Sequence, residues 1–84
     1  MKHKDYIENK DLGKLADELG DLKYDTLSDF LYYLSLKLEN DSKKDKDKNR
    51  IKLSERLLNS SNYLLEASKE ISLAYDICKP YMKK

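Results

Sequence analysis

Small or apolar residues recur at alternating intervals of four and three along the C-terminal part of the chain. They are Leu53, Leu57, Ser60, Leu64, Ala67, Ile71, Ala74 and Cys78. This spacing keeps the side chains on one face of a helix. Lys79-Pro80 ends the pattern, because proline cannot occupy a helix interior. The repeat predicts one unbroken helix over about 50–79, which at 1.5 Å per residue would be about 45 Å long.

The two columns of this repeat differ in the size of their side chains. Leu57, Leu64 and Ile71 form a large column, whereas Ser60, Ala67 and Ala74 form a small one. Small side chains let a neighbouring helix approach closely. We therefore expect the column through Ser60 to be the line of contact with another helix.

Two further segments upstream show helical spacing. The longer one carries its apolar stripe over about 26–42, with Asp25 or Thr26 as the capping residue. Its stripe consists of Leu27, Phe30, Leu31, Leu34 and Leu38. A shorter stripe lies within about 11–19, ahead of Gly20, and consists of Leu12, Leu15, Ala16 and Leu19.

Composition argues against an all-β or doubly wound fold. Only three of the 84 residues are Gly or Pro, Val is absent, and one Thr and four Ile are the only β-branched residues. Strands need more such residues on their half-buried faces. The sequence predicts a polar, flexible tail over 1–10 and a single helical domain over 11–84. A connector without apolar side chains over 40–50 divides that domain. The alternative is that one or both flanking helices extend a turn into it, because alternating Lys and Asp also suit a solvated helix end.

The predicted lengths favour an elongated shape. A compact globule of this size has a radius of gyration of about 12 Å, too small for a helix of about 45 Å. We expect an all-α fold: an antiparallel helical hairpin with a short extra N-terminal helix, three helices in total. One seam rarely stabilises so small a chain, so a homodimer that completes a helical bundle is expected.

Side chains outside the main stripes are the predicted dimer interface. They are Tyr32, Tyr33, Leu36, Tyr63, Leu73 and Ile77. The alternative is that the first helix folds back over Tyr32 and Leu36 within a monomer. Tyrosine suits the rim of an interface, because its phenol combines apolar area with a polar tip.

Several chemistries lack the necessary residues. One cysteine and one histidine cannot form an internal disulfide or a structural zinc site, and no cofactor or metal is expected. The longest nearly apolar stretch, Phe30–Leu38, is less than half of the roughly 20 residues that a membrane helix needs. The first residues show no secretory signal, so a cytoplasmic location is expected.

The string Asp17-Glu18-Leu19-Gly20-Asp21-Leu22 resembles one piece of the metal-binding motif of all-helical nucleoside triphosphate pyrophosphatases. The resemblance implies that Glu18 and Asp21 would hold Mg²⁺. That family also has an acidic cluster on a preceding helix. This chain offers only Asp5, Glu8 and Asp11 there, without the doubled-Glu spacing. The enzyme is therefore the remote alternative.

Nucleic-acid binding is a second alternative, because the basic residues are concentrated around the connector. They are Lys43, Lys44, Lys46, Lys48, Arg50 and Lys52. Asp45, Asp47 and Glu55 lie among them, and the net charge is only +1, so RNA or DNA is not the favoured partner.

The favoured expectation is a noncatalytic protein that acts by association, with itself and with an unidentified protein partner, in the manner of an adaptor or inhibitor. The partner would meet either the exposed Tyr32 and Leu36 or an acidic face. The acidic face comprises Asp17, Glu18, Asp21 and Asp29.

Overall fold

The computed structural model describes residues 3–8 and 11–81 and shows an all-helical chain. Helix α1 spans Leu12–Gly20, α2 spans Tyr24–Asp47 and α3 spans Ile51–Cys78, followed by one 3₁₀ turn over Lys79–Tyr81. No β-strand occurs in these two ranges. The predicted helical class and the three predicted helices are confirmed. Residues 1, 2, 9 and 10 of the predicted tail lie outside the described residues, as do 82–84.

The ends of α1 and α2 show which local signals matter. Asp11 caps α1, because its Oδ1 accepts a hydrogen bond of 3.1 Å from the Lys14 backbone N–H. Gly20 is the last residue of α1, and Asp21 follows in a right-handed conformation. Helix α2 begins at Tyr24, two residues before the predicted start, with no side-chain cap.

Helices α2 and α3 form an elongated antiparallel hairpin. The described chain measures 51 × 29 × 14 Å and has a radius of gyration of 15.5 Å, above the value of about 12 Å for a compact globule. Helix α3 is unbroken over 28 residues, or about 42 Å. It is the long rod that the repeat predicts.

Serines that repeat every seven residues form the contact line between α2 and α3, which we call the serine seam. Its members are Ser28, Ser35 and Ser42 of α2 and Ser54, Ser61 and Ser68 of α3. All six are buried, with exposed fractions of 3–8%. They are accompanied in the buried set only by Asp41, so the best-shielded residues of the described chain are polar.

Hydrogen bonds from serine hydroxyls to carbonyls of the opposite helix hold the seam. Ser28 and Ser68 each donate to the other's carbonyl at 2.8 Å. Ser42 donates to the Ser54 carbonyl at 2.8 Å, and Ser61 donates to the Ser35 carbonyl at 2.7 Å. A side chain as short as serine reaches a neighbouring backbone only where the two helices lie unusually close together. The pairs 28–68, 35–61 and 42–54 fix the register: position n of α2 lies opposite position 96 − n of α3.

The predicted contact line was wrong by one residue. The sequence pattern favours the column through Ser60, Ala67 and Ala74, but the structure places the close approach on Ser61 and its heptad equivalents. Ser60 is exposed, while Ala67 and Ala74 are half-buried beside the seam. The pattern of apolar residues misleads here, because the residues at the centre of the contact are hydroxylated.

The predicted connector over 40–50 differs from the observed turn. Helix α2 continues through it to Asp47, because Ser42 belongs to the serine seam and Asp41 is paired with Lys37 one turn earlier. Only Lys48–Arg50 form the turn. Asn49 adopts a left-handed conformation there, with φ of 63°, a region that Asn tolerates better than most residues. The Arg50 N–H then donates to the Asp45 carbonyl at 2.8 Å.

Helix α1 stands apart from this tight pair. Among the described residues, α2 and α3 form the only pair of α-helices with extensive close backbone contact. Leu15 and Leu19 of α1 are half-buried, and Leu12 is 57% exposed. None of the described helices has both the length and the apolar character needed to cross a bilayer.

Substituting Ser61 with Leu tests the serine seam. A leucine at this point must push the helices apart, so the free energy of unfolding should fall by at least about 2 kcal/mol. Ser60→Leu is the matched control, because Ser60 is the neighbouring, exposed serine, and it should change stability by less than about 0.5 kcal/mol. Urea unfolding followed by circular dichroism measures both. Equal losses in the two variants would contradict the seam.

Asn49 offers a test of the turn. Asn49→Ile should lower the free energy of unfolding by about 1–2 kcal/mol, because a β-branched residue is strained in the left-handed region. Asn49→Gly should change it by less than about 1 kcal/mol, since glycine adopts that conformation freely. Thermal denaturation of the two variants measures the difference, and an isoleucine variant as stable as the glycine variant would show that the turn is not left-handed.

Candidate functional site

The hairpin is a single layer with two broad faces, because the serine seam uses only one column of residues on each helix. The columns on one side of the seam form the tail face, so named because the N-terminal segment lies on it. Its large side chains are Leu31, Leu34, Leu38, Leu53, Leu57, Leu64 and Ile71. Most are half-buried, and Leu53 remains 47% exposed.

A cavity of about 710 Å³ lies on the tail face near the turn of the hairpin. His3, Lys4 and Ile7 border it from the N-terminal segment, while Leu38 and Leu57 belong to its apolar wall. Residues 3–7 therefore shelter part of this face. Part of the segment over 1–10, which the sequence predicts as a polar, flexible tail, thus lies beside the hairpin.

Two ion pairs stand at the edge of this cavity. Lys37 Nζ contacts both carboxylate oxygens of Asp41, at 2.7 and 2.8 Å, and Arg50 Nη1 contacts Asp45 Oδ1 at 3.1 Å. The hydrogen bond from Lys37 holds the pKa of the Asp41 carboxyl below its ordinary value of 3.8. Both pairs link residues within α2 or between its end and the turn, so they stabilise the end of the helix.

The opposite side of the layer is the open face, formed by Tyr32, Leu36, Ile51, Leu58 and Leu65. Among the described residues, those that line a shallow cavity of about 460 Å³ on this side all belong to α2 and α3, and they include Ile51 and Leu58. It also contains Glu39 and Lys43. Tyr32 and Leu36 precede those two residues by seven positions and therefore share their columns.

The open face is the least covered apolar surface between the two helices. Its exposed fractions are 44% for Tyr32, 40% for Leu36, 46% for Ile51 and 42% for Leu58, and Leu65 is half-buried. These side chains lie next to the seam rather than on the outer edges of the layer. Contiguous apolar side chains at such exposure are typical of a surface that binds another protein.

The predicted interface residues occupy different places. Tyr32 and Leu36 lie together on the open face. Tyr33, Tyr63, Leu73 and Ile77 are 56–76% exposed and point about 140–200° away from the seam at 100° per residue. The structure thus brings two of the six together and places the other four on the outer edges of the helices.

Three residues of the open face were not among the predicted interface residues: Ile51, Leu58 and Leu65. Their signal in the sequence is a spacing of seven, in step with Ser54, Ser61 and Ser68 three positions later. This spacing indicates an interface only when the serines are known to form the contact between the two helices.

The predicted acidic face is divided between two helices. Asp17 and Glu18 belong to α1 and Asp21 is its C-terminal cap, whereas Asp29 lies on α2 in the column of Leu36. All four are exposed. Within residues 3–8 and 11–81, no three His, Cys, Asp or Glu side chains come together in a group that could hold a metal ion.

The basic residues of the nucleic-acid alternative are also divided. Lys43 and Lys46 line the cavity of the open face. Lys44, Lys48 and Arg50 line the cavity of the tail face, and Arg50 is paired with Asp45. Lys52 is exposed on the first turn of α3. The six cations therefore do not form one continuous basic surface.

Comparison with protein-family models, with curated proteins and with solved structures finds no match to this chain. Its function has to be inferred from its own residues.

The Asp41–Lys37 pair gives a prediction about pH. Lys37→Met should bring the pKa of Asp41 back toward 3.8, and NMR titration of the side-chain carboxyl carbon measures that change. In the wild type, a lowered folded-state pKa means that the pair's contribution to stability is complete above the unfolded pKa. This contribution is lost as the pH falls through the folded pKa. Lys43→Met is the control, and an unchanged Asp41 pKa in Lys37→Met would contradict the assignment.

Proposed function

We propose that this chain is a noncatalytic helical protein that acts by association, first with a second copy of itself and then with another protein. One observation supports this most directly: no hydrophobic side chain of the described residues is fully buried. Burying a large apolar side chain stabilises a protein by about 1.5–3 kcal/mol. A hairpin with two half-covered apolar faces gains this stabilisation by contact with another surface.

The polar groups of the hairpin support the same conclusion. Within the described residues, every buried side-chain nitrogen or oxygen has a hydrogen-bond partner. Five of the six buried serine hydroxyls bond to the opposite helix, and the Ser35 hydroxyl donates to the Tyr32 carbonyl of its own helix. Asp41 bonds to Lys37. The buried polar side chains thus stabilise the hairpin itself, whereas the side chains of the apolar faces remain partly exposed to solvent.

Size and charge also favour association. Below about 70–80 residues a single core rarely supplies enough stability, and 84 residues lie close to that limit. The net charge of +1 gives two copies little mutual repulsion.

We place the protein in the cytoplasm, where its single Cys78 would stay reduced. Asp17, Glu18 and Asp21 offer a basic protein partner an exposed acidic surface in an adaptor or inhibitor complex.

Gel filtration with light scattering tests the self-association. At about 50 µM, the wild type should elute with twice the chain mass of 9.9 kDa. Tyr32→Glu combined with Leu36→Glu should return the monomer mass and keep the helical circular dichroism, because these side chains lie outside the seam.

The matched control replaces Tyr33 and Tyr63, on the outer edges, with Glu, and should remain a dimer. A wild-type monomer at this concentration would contradict the proposal. Loss of all helix in the Tyr32 and Leu36 variant would place those residues in the core of the monomer.

A further inference from the structure

The charges around the open face alternate between the helices. On α2, Asp25 and Asp29 lie in the first turns and Lys43 lies near the end, all in columns that contain Tyr32 or Leu36. On α3 the order is reversed along the stretch that lies opposite α2: Glu55 comes early and Lys69 comes late, in one column beside Leu58 and Leu65. Asp76 follows in the same column but lies level with position 20, beyond the first residue of α2.

The antiparallel register turns these two orders into a diagonal pattern. By the 96 − n rule of the seam, Lys69 lies level with position 27, between Asp25 and Asp29. Glu55 lies level with position 41, close to Lys43. Each end of the open face therefore has acid on one helix and base on the other, with the signs exchanged between the ends.

The apolar side chains fill the middle of this pattern. Leu65 lies level with position 31 and Leu58 with position 38, on either side of the Ser35–Ser61 pair. Tyr32 and Leu36 face them from α2. Glu39 is the only half-buried charge at the edge of this patch.

We propose that the occupant of the open face is a second copy of this chain, stacked face to face to form a four-helix bundle; this rests on the association proposed above. A face with charges on its diagonals is complementary to itself. In one arrangement the two-fold axis runs across the layer, perpendicular to the helices. Asp25 of one copy then meets Lys43 of the other, and Glu55 meets Lys69. In the other arrangement the two-fold axis runs between the layers, parallel to the helices. Asp29 of one copy then meets Lys69 of the other, and Lys43 meets Glu55.

Both rotations also stack apolar on apolar side chains. The first places Tyr32 on Leu36 and Leu58 on Leu65, and the second places Tyr32 on Leu65 and Leu36 on Leu58. Either arrangement keeps neighbouring helices antiparallel, as in many four-helix bundles.

The available area suits such a dimer. Helix α2 is about 36 Å long and two helices are about 18 Å wide, so the face offers about 650 Å² per copy. The total of about 1,300 Å² lies at the lower end of the range for stable interfaces.

Charge reversal with rescue tests the proposal by analytical ultracentrifugation at low salt. Lys43→Glu should raise the dimer dissociation constant about tenfold, because it replaces two attractive contacts with two repulsive ones. Lys44→Glu is the control: it has the same change in charge at the next residue, but it lines the tail face, and it should leave the constant unchanged. Adding Asp25→Lys or Glu55→Lys to Lys43→Glu should restore tight dimers.

The two rescues identify the arrangement. Recovery with Asp25→Lys indicates that α2 lies on α2 of the copy, and recovery with Glu55→Lys indicates that α2 lies on α3. Equal effects of Lys43→Glu and Lys44→Glu, or failure of both rescues, would overturn the open face as the dimer interface while the association itself stands. A wild type that is monomeric throughout would contradict both proposals.

Discussion

The close approach of two helix backbones along the serine seam is the constraint on which the rest of the structure depends. Hydroxyl groups that donate across to the opposite carbonyls leave no space for a large side chain between α2 and α3. The leucines of both helices are therefore displaced to the two faces of the layer. A hairpin built in this way has a polar, well-satisfied centre, and its apolar side chains lie partly exposed on the two faces, whereas the centre of an ordinary small domain is apolar.

The helices themselves could be predicted from the sequence, because leucine spacing and the lack of Gly, Pro and β-branched residues depend only on local geometry. The seam could not be predicted in that way, because serine counts as polar in any apolar pattern, and only its partners across the hairpin show that it is buried. The predicted interface is incomplete for the same reason. Distance from the leucine stripe identifies Tyr32 and Leu36, but it does not identify the residues of α3 that lie beside the serines. Leu58 and Leu65 become visible as interface residues only after the seam is moved by one position.

The two faces of the layer are not equivalent. Residues 3–7 shelter part of the tail face, and the ion pairs of Lys37 with Asp41 and of Arg50 with Asp45 border its cavity. On the open face Tyr32, Leu36, Ile51 and Leu58 remain 40–46% exposed, and its charges are arranged on diagonals. In the association that we propose, a second copy would bind through the open face, and the acidic surface of α1 would stay accessible to another protein.

The dependence of unfolding on protein concentration tests most directly whether a second chain completes the open face of the hairpin. When dimers unfold to separate chains, mass action makes the urea midpoint rise with concentration. From about 2 µM to about 200 µM, the midpoint of the helical signal should rise steadily. A midpoint that stays constant over this range would show that the hairpin is stable as a monomer and would contradict the proposed dimer.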